Sequence, residues 1–141
     1  MSSFLLIEII SDAIARKKLA MLTVHGNDYD TVDGTGVRDY VHVVDLAEAH
    51  VQVLEKANGL TVYNVGTGHG TSVLELVSAF IEQTKLAVPF QIGERRAGDV
   101  ATCFAGVDKI KKELGWEAKH TIADMVRDAW NFEMNQFTMF E

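Results

Sequence analysis

Cysteine and proline are almost absent from this sequence, which contains one of each in 141 residues. The single cysteine, Cys103, excludes an internal disulfide and is typical of proteins from a reducing compartment. Positive charge is also scarce, with 13 Lys and Arg against 20 Asp and Glu and a net charge of -7. Because nucleic acids bind basic surfaces, this balance argues against a nucleic-acid partner.

Long apolar runs are missing as well. No stretch approaches the roughly 18 apolar residues of a membrane span. The apolar start of the chain contains Glu8 and lacks the basic residues that open a signal peptide. We therefore expect a cytoplasmic protein without a membrane partner. A hydrophobic content of 48% and the lack of repeats or linkers predict one domain over residues 1–141.

Hydrophobic periodicity and capping signals predict a small mixed α/β domain of about five helices and four to five short strands. Asp45 is the expected N-cap of the second helix, Ser72 and Glu75 form a capping box, and Gly115 ends a short helix. The predicted helices are Phe4–Leu19, Asp45–Ala57, Ser72–Thr84, Asp108–Leu114 and a last one from Thr121, and the predicted strands are Met21–His25, Tyr40–Val44, Thr61–Val65 and Val88–Ile92.

Two features resemble ligand sites but have simpler interpretations. The glycines of 66–70 stand between a predicted strand and a helix, as in a dinucleotide site, but run G-x-G-x-G, so the third glycine is misplaced. A sharp turn into the helix capped by Ser72 is the favoured interpretation. No further histidine or cysteine completes a metal site with His42 and His50. In the loop that resembles a calcium site, Val32 stands at the position of an oxygen ligand, so no metal is expected.

Two polar segments carry arginines suited to anions. Arg38 ends a long polar loop, and Arg95 and Arg96 stand between Gly93 and Gly98. Guanidinium groups bind phosphates and carboxylates through paired hydrogen bonds. The residues alone leave open whether the adjacent arginines bind an anion or form an ordinary surface pair.

Three runs of the sequence carry a family resemblance. They read GNDY at 26–29, DGTGVRDYVHVVDLA at 33–47 and RRAGD at 95–99. Together they resemble the UDP-glucose 4-epimerases, which are extended short-chain dehydrogenase/reductase enzymes. The resemblance implies a fold equivalent to the C-terminal, substrate-binding lobe of such an enzyme, somewhat under half of the family's length.

The same resemblance implies a set of ligand contacts. The backbone of Thr23, Val24 and His25 would meet the uracil of a UDP-sugar. Arg38 and Arg96 would bind the diphosphate, and Asp99 would bind the ribose. The residues themselves favour a small, partly buried Cys103 over a reactive thiol, since no base partner is evident near it in sequence. By the resemblance, Cys103 would face the sugar pocket and leave space for an N-acetyl group.

The family's catalytic parts are not found in this chain. Tyr29, Tyr40 and Tyr63 are followed four positions later by residues other than lysine, so the Tyr-x-x-x-Lys pair is missing, as is an N-terminal glycine motif for NAD. We therefore expect no catalytic residue here, and NAD only with a separate N-terminal half. The expected function is UDP-sugar binding by a homo-oligomer or with a complementing NAD-binding domain.

Two other functions stay open at this point. The chain could be a stand-alone interaction module that kept the fold and lost nucleotide binding, because strands that lose the cover of a missing half promote association. An independent NAD enzyme would have to use the glycines of 66–70. Nucleotide affinity separates these hypotheses.

Overall fold

A computed structural model of the chain describes residues 7, 10 and 21–138. Within this part, short strands alternate with helices, which confirms the predicted mixed α/β class. The strands are β1 (Leu22–His25), β2 (Val37–Arg38), β3 (Thr71–Ser72), β4 (Phe90–Gly93) and β5 (Thr102–Cys103). The helices are α1 (Val43–Lys56), α2 (Val73–Thr84), α3 (Asp108–Leu114) and α4 (Ile122–Thr138). The helix predicted over Phe4–Leu19 lies largely outside the described residues, of which Ile7 and Ile10 are helical and buried.

The strands form two small sheets. β1 pairs with β4 in parallel, with Thr23 opposite Gln91 and His25 opposite Gly93. β2 lies between β3, which is antiparallel to it, and β5, which is parallel to it. The connection 94–101 leads from β4 to β5 and therefore joins the two sheets.

Local capping chemistry explains three of the helices. The Ser72 side chain accepts from the Glu75 backbone and the Glu75 carboxylate accepts from the Ser72 backbone, so the predicted capping box is confirmed at the start of α2. Helix α3 has the predicted bounds and ends at Gly115, whose φ of 73° suits a residue without a side chain. Thr121 and Asp124 bond each other in the same reciprocal way before α4.

The strand predicted over Tyr40–Val44 is wrong. Helix α1 already begins at Val43, and its N-cap is His42 rather than Asp45, because the His42 Nδ1 accepts a hydrogen bond from the Val44 backbone N–H. Asp45 instead lies in the first turn and is fully buried. The apolar run had suggested a strand. In the part of the chain that the structure describes, however, no strand pairs with residues 39–42.

Two further expectations are corrected. The strand predicted over Thr61–Val65 does not form, since nothing in the described part of the chain pairs with this segment. The helical spacing of apolar residues in the sequence predicts Leu54 and Ile81 on the inner faces of their helices, but both are exposed, with 85% of Leu54 accessible. Nothing in the described part of the structure covers either side chain.

The core has two parts. One lies between α2, α4 and the β1–β4 sheet, where Phe80 meets the Trp130 ring edge-on at 5.8 Å. The other lies between α1 and α3, where Ala49, Ile110 and Trp116 are buried. Among the described helices, none has both the length and the apolar character that crossing a membrane requires.

Candidate functional site

The seven residues predicted to contact a nucleotide lie on three strands and one connection. Thr23, Val24 and His25 form β1, and Arg38 is the second residue of β2. Cys103 lies directly opposite Arg38 in the β2–β5 ladder. Arg96 and Asp99 lie on the connection 94–101, which follows the partner of β1 and precedes the partner of β2. The topology thus distributes them over both sheets and over the connection between the sheets.

Arg96 and Asp99 form a closed turn. The Asp99 backbone N–H donates to the Arg96 carbonyl at 3.2 Å, and the Arg96 Nε donates to the Asp99 Oδ2 at 2.9 Å. The Arg96 Nη2 lies 2.9 Å from the same oxygen. The Arg96 side chain is 45% exposed, so its guanidinium is accessible from solvent while the aspartate orients it.

Arg38 points over its own strand. Its Nη1 donates to the Val37 carbonyl at 2.7 Å. A Cβ at Gly36 would lie 3.5 Å from this nitrogen, so the guanidinium lies against the bare backbone of a glycine. Arg38 is partly exposed and its carbonyl contact leaves other N–H groups of the five for an anion.

The strand β1 is held by its partner and by the segment after it. Val24 is buried in the core, while Thr23 and His25 are partly exposed. The Thr23 hydroxyl accepts from the Gln91 side chain at 3.2 Å, and the His25 Nδ1 lies 3.1 Å from the Glu94 carbonyl oxygen, to which it donates. His25 therefore lies next to the connection that carries Arg96, whereas Thr23 contacts β4.

Cys103 is exposed, which corrects the expectation of a partly buried residue. The reason is its strand: β5 is at the edge of the three-stranded sheet in the described structure, and Thr102 before it and Phe104 after it are exposed too. Its strand places it opposite Arg38 in the ladder.

The glycine-rich segment 66–70 does not fit a dinucleotide. Its donors already surround the carboxylate of Asp39: the Thr67 backbone and hydroxyl donate to Oδ1 at 2.9 and 2.6 Å, and the Gly68 backbone donates to Oδ2 at 3.1 Å. Ala105 adds a fourth donor at 3.1 Å. An internal carboxylate thus occupies the amides that a pyrophosphate would need. Sequence reasoning missed this role, because Asp39 lies 28 positions before Thr67.

A second carboxylate was also missed as a structural centre. Asp45 is fully buried and accepts from the backbones of Lys119 and His120 at 3.0 and 2.9 Å and from the His120 Nδ1 at 2.8 Å. The His120 ring stacks on His42, with ring centroids 4.2 Å apart. His42 donates from Nε2 to Asp128 at 3.2 Å. His42 therefore has a structural role, as the cap of α1 and as the partner of the Asp128 carboxylate.

Metal ligands and cavities do not add to the predicted site. No three His, Cys, Asp or Glu side chains among the described residues are grouped as metal ligands would be. One cavity of about 410 Å³ is lined by residues that include Tyr40, Trp116 and His120, and burial raises the pKa of Tyr40 to about 12. A second cavity, of about 710 Å³, is lined by residues that include Asp33, Ser72 and Glu75. Neither contains any of the seven predicted residues.

Comparison with known proteins gives these features a family. The family model described as GDP-mannose 4,6 dehydratase matches residues 5–129. A UDP-glucose 4-epimerase of Bacillus subtilis (strain 168) is 54% identical over 123 residues, which are 85% of this chain and 36% of that protein. The corresponding protein of Haemophilus influenzae is 49% identical over 125 residues, 86% of this chain and 37% of that protein.

Solved structures agree. The crystal structure of a UDP-glucose 4-epimerase from Bifidobacterium longum, in complex with NAD+ and UDP, matches with a TM-score of 0.87 and 45% identity over 96% of this chain and 41% of that one. The structure of a UDP-glucose 4-epimerase from Stenotrophomonas maltophila, with bound NAD and formylated UDP-arabinopyranose, matches with a TM-score of 0.88 and 44% identity. The match covers 95% of this chain and 40% of that one.

The chain thus spans little more than a third of the curated relatives that it matches. The resemblance to UDP-glucose 4-epimerases seen in the sequence motifs is confirmed by these identities and by the shared fold. The chain belongs to the GDP-mannose 4,6-dehydratase family, in which UDP-glucose 4-epimerases are its relatives.

Proposed function

We propose that this chain is the UDP-sugar-binding lobe of an NAD-dependent sugar-nucleotide epimerase, and that it does not catalyse epimerisation by itself. The observation that supports the proposal is the connection 94–101, which carries the Arg96–Asp99 pair and runs from the sheet of β1 to the sheet that contains Arg38. Two arginines that approach one diphosphate are physically favourable, because charge-assisted hydrogen bonds to phosphate are the strong ones. UDP in the Bifidobacterium longum relative supports this class of ligand.

The catalytic part of the proposal rests on what the sequence does not contain. A hydride transfer requires NAD, which supplies the redox chemistry, and the family pairs it with a Tyr-x-x-x-Lys base. None of the three tyrosines has the lysine, and the amides of segment 66–70 are occupied by Asp39. The residues that bind NAD and the residue that serves as the base would therefore lie outside this chain.

The test is a calorimetric titration of the purified chain with UDP. We expect binding in the micromolar to low-millimolar range, weakened roughly 10- to 100-fold by Arg96→Ala, because the variant loses a charge-assisted contact to the diphosphate. Arg127→Ala is the matched control, since it removes the same charge from α4, and it should leave the affinity unchanged. Absence of binding by a chain that circular dichroism shows to be folded would contradict the proposal.

The second candidate function is an interaction module, and an apolar surface favours it. Val44, Val51 and Leu54 are exposed at positions that share one face of α1. Leu60 and Val62 follow on an exposed segment without a strand partner in the described structure. Exposed apolar patches of this kind mark protein interaction sites. The same surface would suit a complementing NAD-binding domain.

This candidate predicts self-association at micromolar concentration, because apolar area on α1 would be removed from water in the complex. Light scattering after gel filtration measures the mass. Leu54→Glu should shift the chain toward a monomer. Val32→Glu is the control, because Val32 is fully exposed in a loop outside α1. A clean monomer for the unmodified chain, or equal effects of both variants, would contradict association through α1.

A further inference from the structure

Arg95, next to the proposed diphosphate ligand Arg96, makes contacts of a different kind. Its Nε donates to the Asp28 Oδ1 at 2.6 Å, and its Nη2 donates to the Asp28 backbone carbonyl. Its guanidinium also lies over the Tyr29 ring, 4.1 Å from the centroid. The fork of Arg95 thus engages one residue through side chain and backbone together and stacks on the next. The hydrogen bond and charge of Arg95 lower the pKa of Asp28, which keeps this carboxylate ionised.

The residues around this contact are closely packed. Tyr29 is buried, and a Cβ at Gly26 would lie 2.7 Å from the Tyr29 ring and 2.8 Å from the Arg95 Cγ. Only a glycine at position 26 lets the ring and the arginine stem approach the backbone this closely. The Gly26 N–H also donates to the Gly93 carbonyl at 2.9 Å. The loop after β1 and the segment after β4 are therefore fastened to each other at Arg95.

This fastening acts on the turn that follows. Arg96 is covalently next to Arg95, and its turn is closed by the Asp99 N–H and by the Arg96–Asp99 ion pair, contacts that lie within the turn. Hydrogen bonds inside a turn fix its shape but not its direction from the protein. Arg95 supplies a side-chain contact from this segment to the β1 loop, in addition to the hydrogen bond from His25 to the Glu94 carbonyl.

We propose that Arg95 is a positioning residue of the nucleotide site. It holds the 96–99 turn against Asp28 and Tyr29, so that Arg96 and Asp99 are oriented before a ligand arrives, while Arg95 itself does not bind the ligand. This inference rests on the proposed function. Preorganisation of this kind raises affinity because binding no longer has to order the ligating side chains.

The proposal predicts a local effect. The Arg95 and Asp28 side chains are 46% and 71% exposed, and exposed ion pairs contribute little to global stability. Arg95→Ala should therefore leave the unfolding midpoint nearly unchanged. It should raise amide hydrogen exchange over 94–101 about tenfold, because the turn loses its anchor. Lys111→Ala is the matched control, since it breaks another exposed ion pair, with Glu117, far from the turn in sequence.

The affinity for UDP is the second readout. Arg95→Ala should weaken binding about tenfold in calorimetry, and Arg95→Lys should restore part of it, because lysine keeps the charge beside Asp28 without the planar stack on Tyr29. The effect should become clearly smaller in an Arg96→Ala background, since Arg95 acts in part by orienting Arg96.

The outcomes separate this inference from the proposed function. Failure of the unmodified chain to bind UDP would overturn the proposed function and the role of Arg95 in nucleotide binding with it. Where the unmodified chain binds, unchanged exchange over 94–101 in Arg95→Ala would overturn the positioning role alone. Losses of affinity that simply add in the Arg95→Ala, Arg96→Ala double variant would do the same, because they would indicate independent contacts.

Discussion

Replacement of Gly66 by alanine is expected to destabilise the fold by about 3 kcal/mol or more. A Cβ at this position would lie 2.3 Å from the Asp39 Oδ2 and 2.7 Å from the Ala105 Cβ. Asp39 cannot move aside without cost, because its carboxylate accepts from Thr67, Gly68 and Ala105. The methyl group would therefore break charge-assisted hydrogen bonds and leave backbone donors without a partner.

Urea unfolding followed by circular dichroism measures this loss. Gly106→Ala is the matched control, because nothing lies within 4 Å of a Cβ built there, and it should change stability by less than about 1 kcal/mol. Equal stabilities of the two variants would show that Asp39 does not need the space above Gly66.

A double-mutant cycle gives the sharper version of the prediction. Asp39→Ala alone should also be costly, because it orphans the donors of the glycine-rich segment. In the Gly66→Ala background it should cost little more, since the alanine methyl has already displaced the carboxylate. Strict additivity would contradict a shared mechanism.

The helices were predictable because their signals are local. The Ser72–Glu75 box and Gly115 act within three or four residues, so a single sequence is enough to locate the ends of α2 and α3. The N-terminus of α1 was misread because a histidine, His42, provides the cap that an aspartate usually provides.

Strands and contacts between distant segments were harder to predict. The segments 40–44 and 61–65 have apolar character suited to strands, but a strand also needs a partner, and nothing in the described structure pairs with them. The candidate site shows the same contrast between local signals and contacts of distant segments. The motifs suggest Arg38, Arg96 and Asp99 as candidate ligands, whereas the partners of Asp39 lie at least 28 positions away, with no sequence signal to connect them.

Asp45→Ala is expected to destabilise the fold by about 3 kcal/mol. The side chain is fully buried and accepts from two backbone N–H groups, of Lys119 and His120, and from the His120 ring. Alanine would leave these donors without their acceptor and would release the connection between α3 and α4 from α1. Urea unfolding at pH 7 measures the loss. The control is Asp30→Ala, which removes an exposed carboxylate and should cost less than about 0.5 kcal/mol.

The same variant has a predictable pH dependence. Burial opposes the ionisation of Asp45, but the hydrogen bonds from His120 and Lys119 outweigh it and lower its pKa below the ordinary value of 3.8. A carboxyl whose pKa falls on folding contributes its full stability above the unfolded value and loses it as the pH drops toward the folded one. The stability gap between the unmodified chain and Asp45→Ala should therefore be constant from pH 7 to about 5 and shrink below about pH 4. A gap that stays constant down to about pH 2 would contradict an ionised Asp45, because only the loss of its charge weakens these hydrogen bonds in acid.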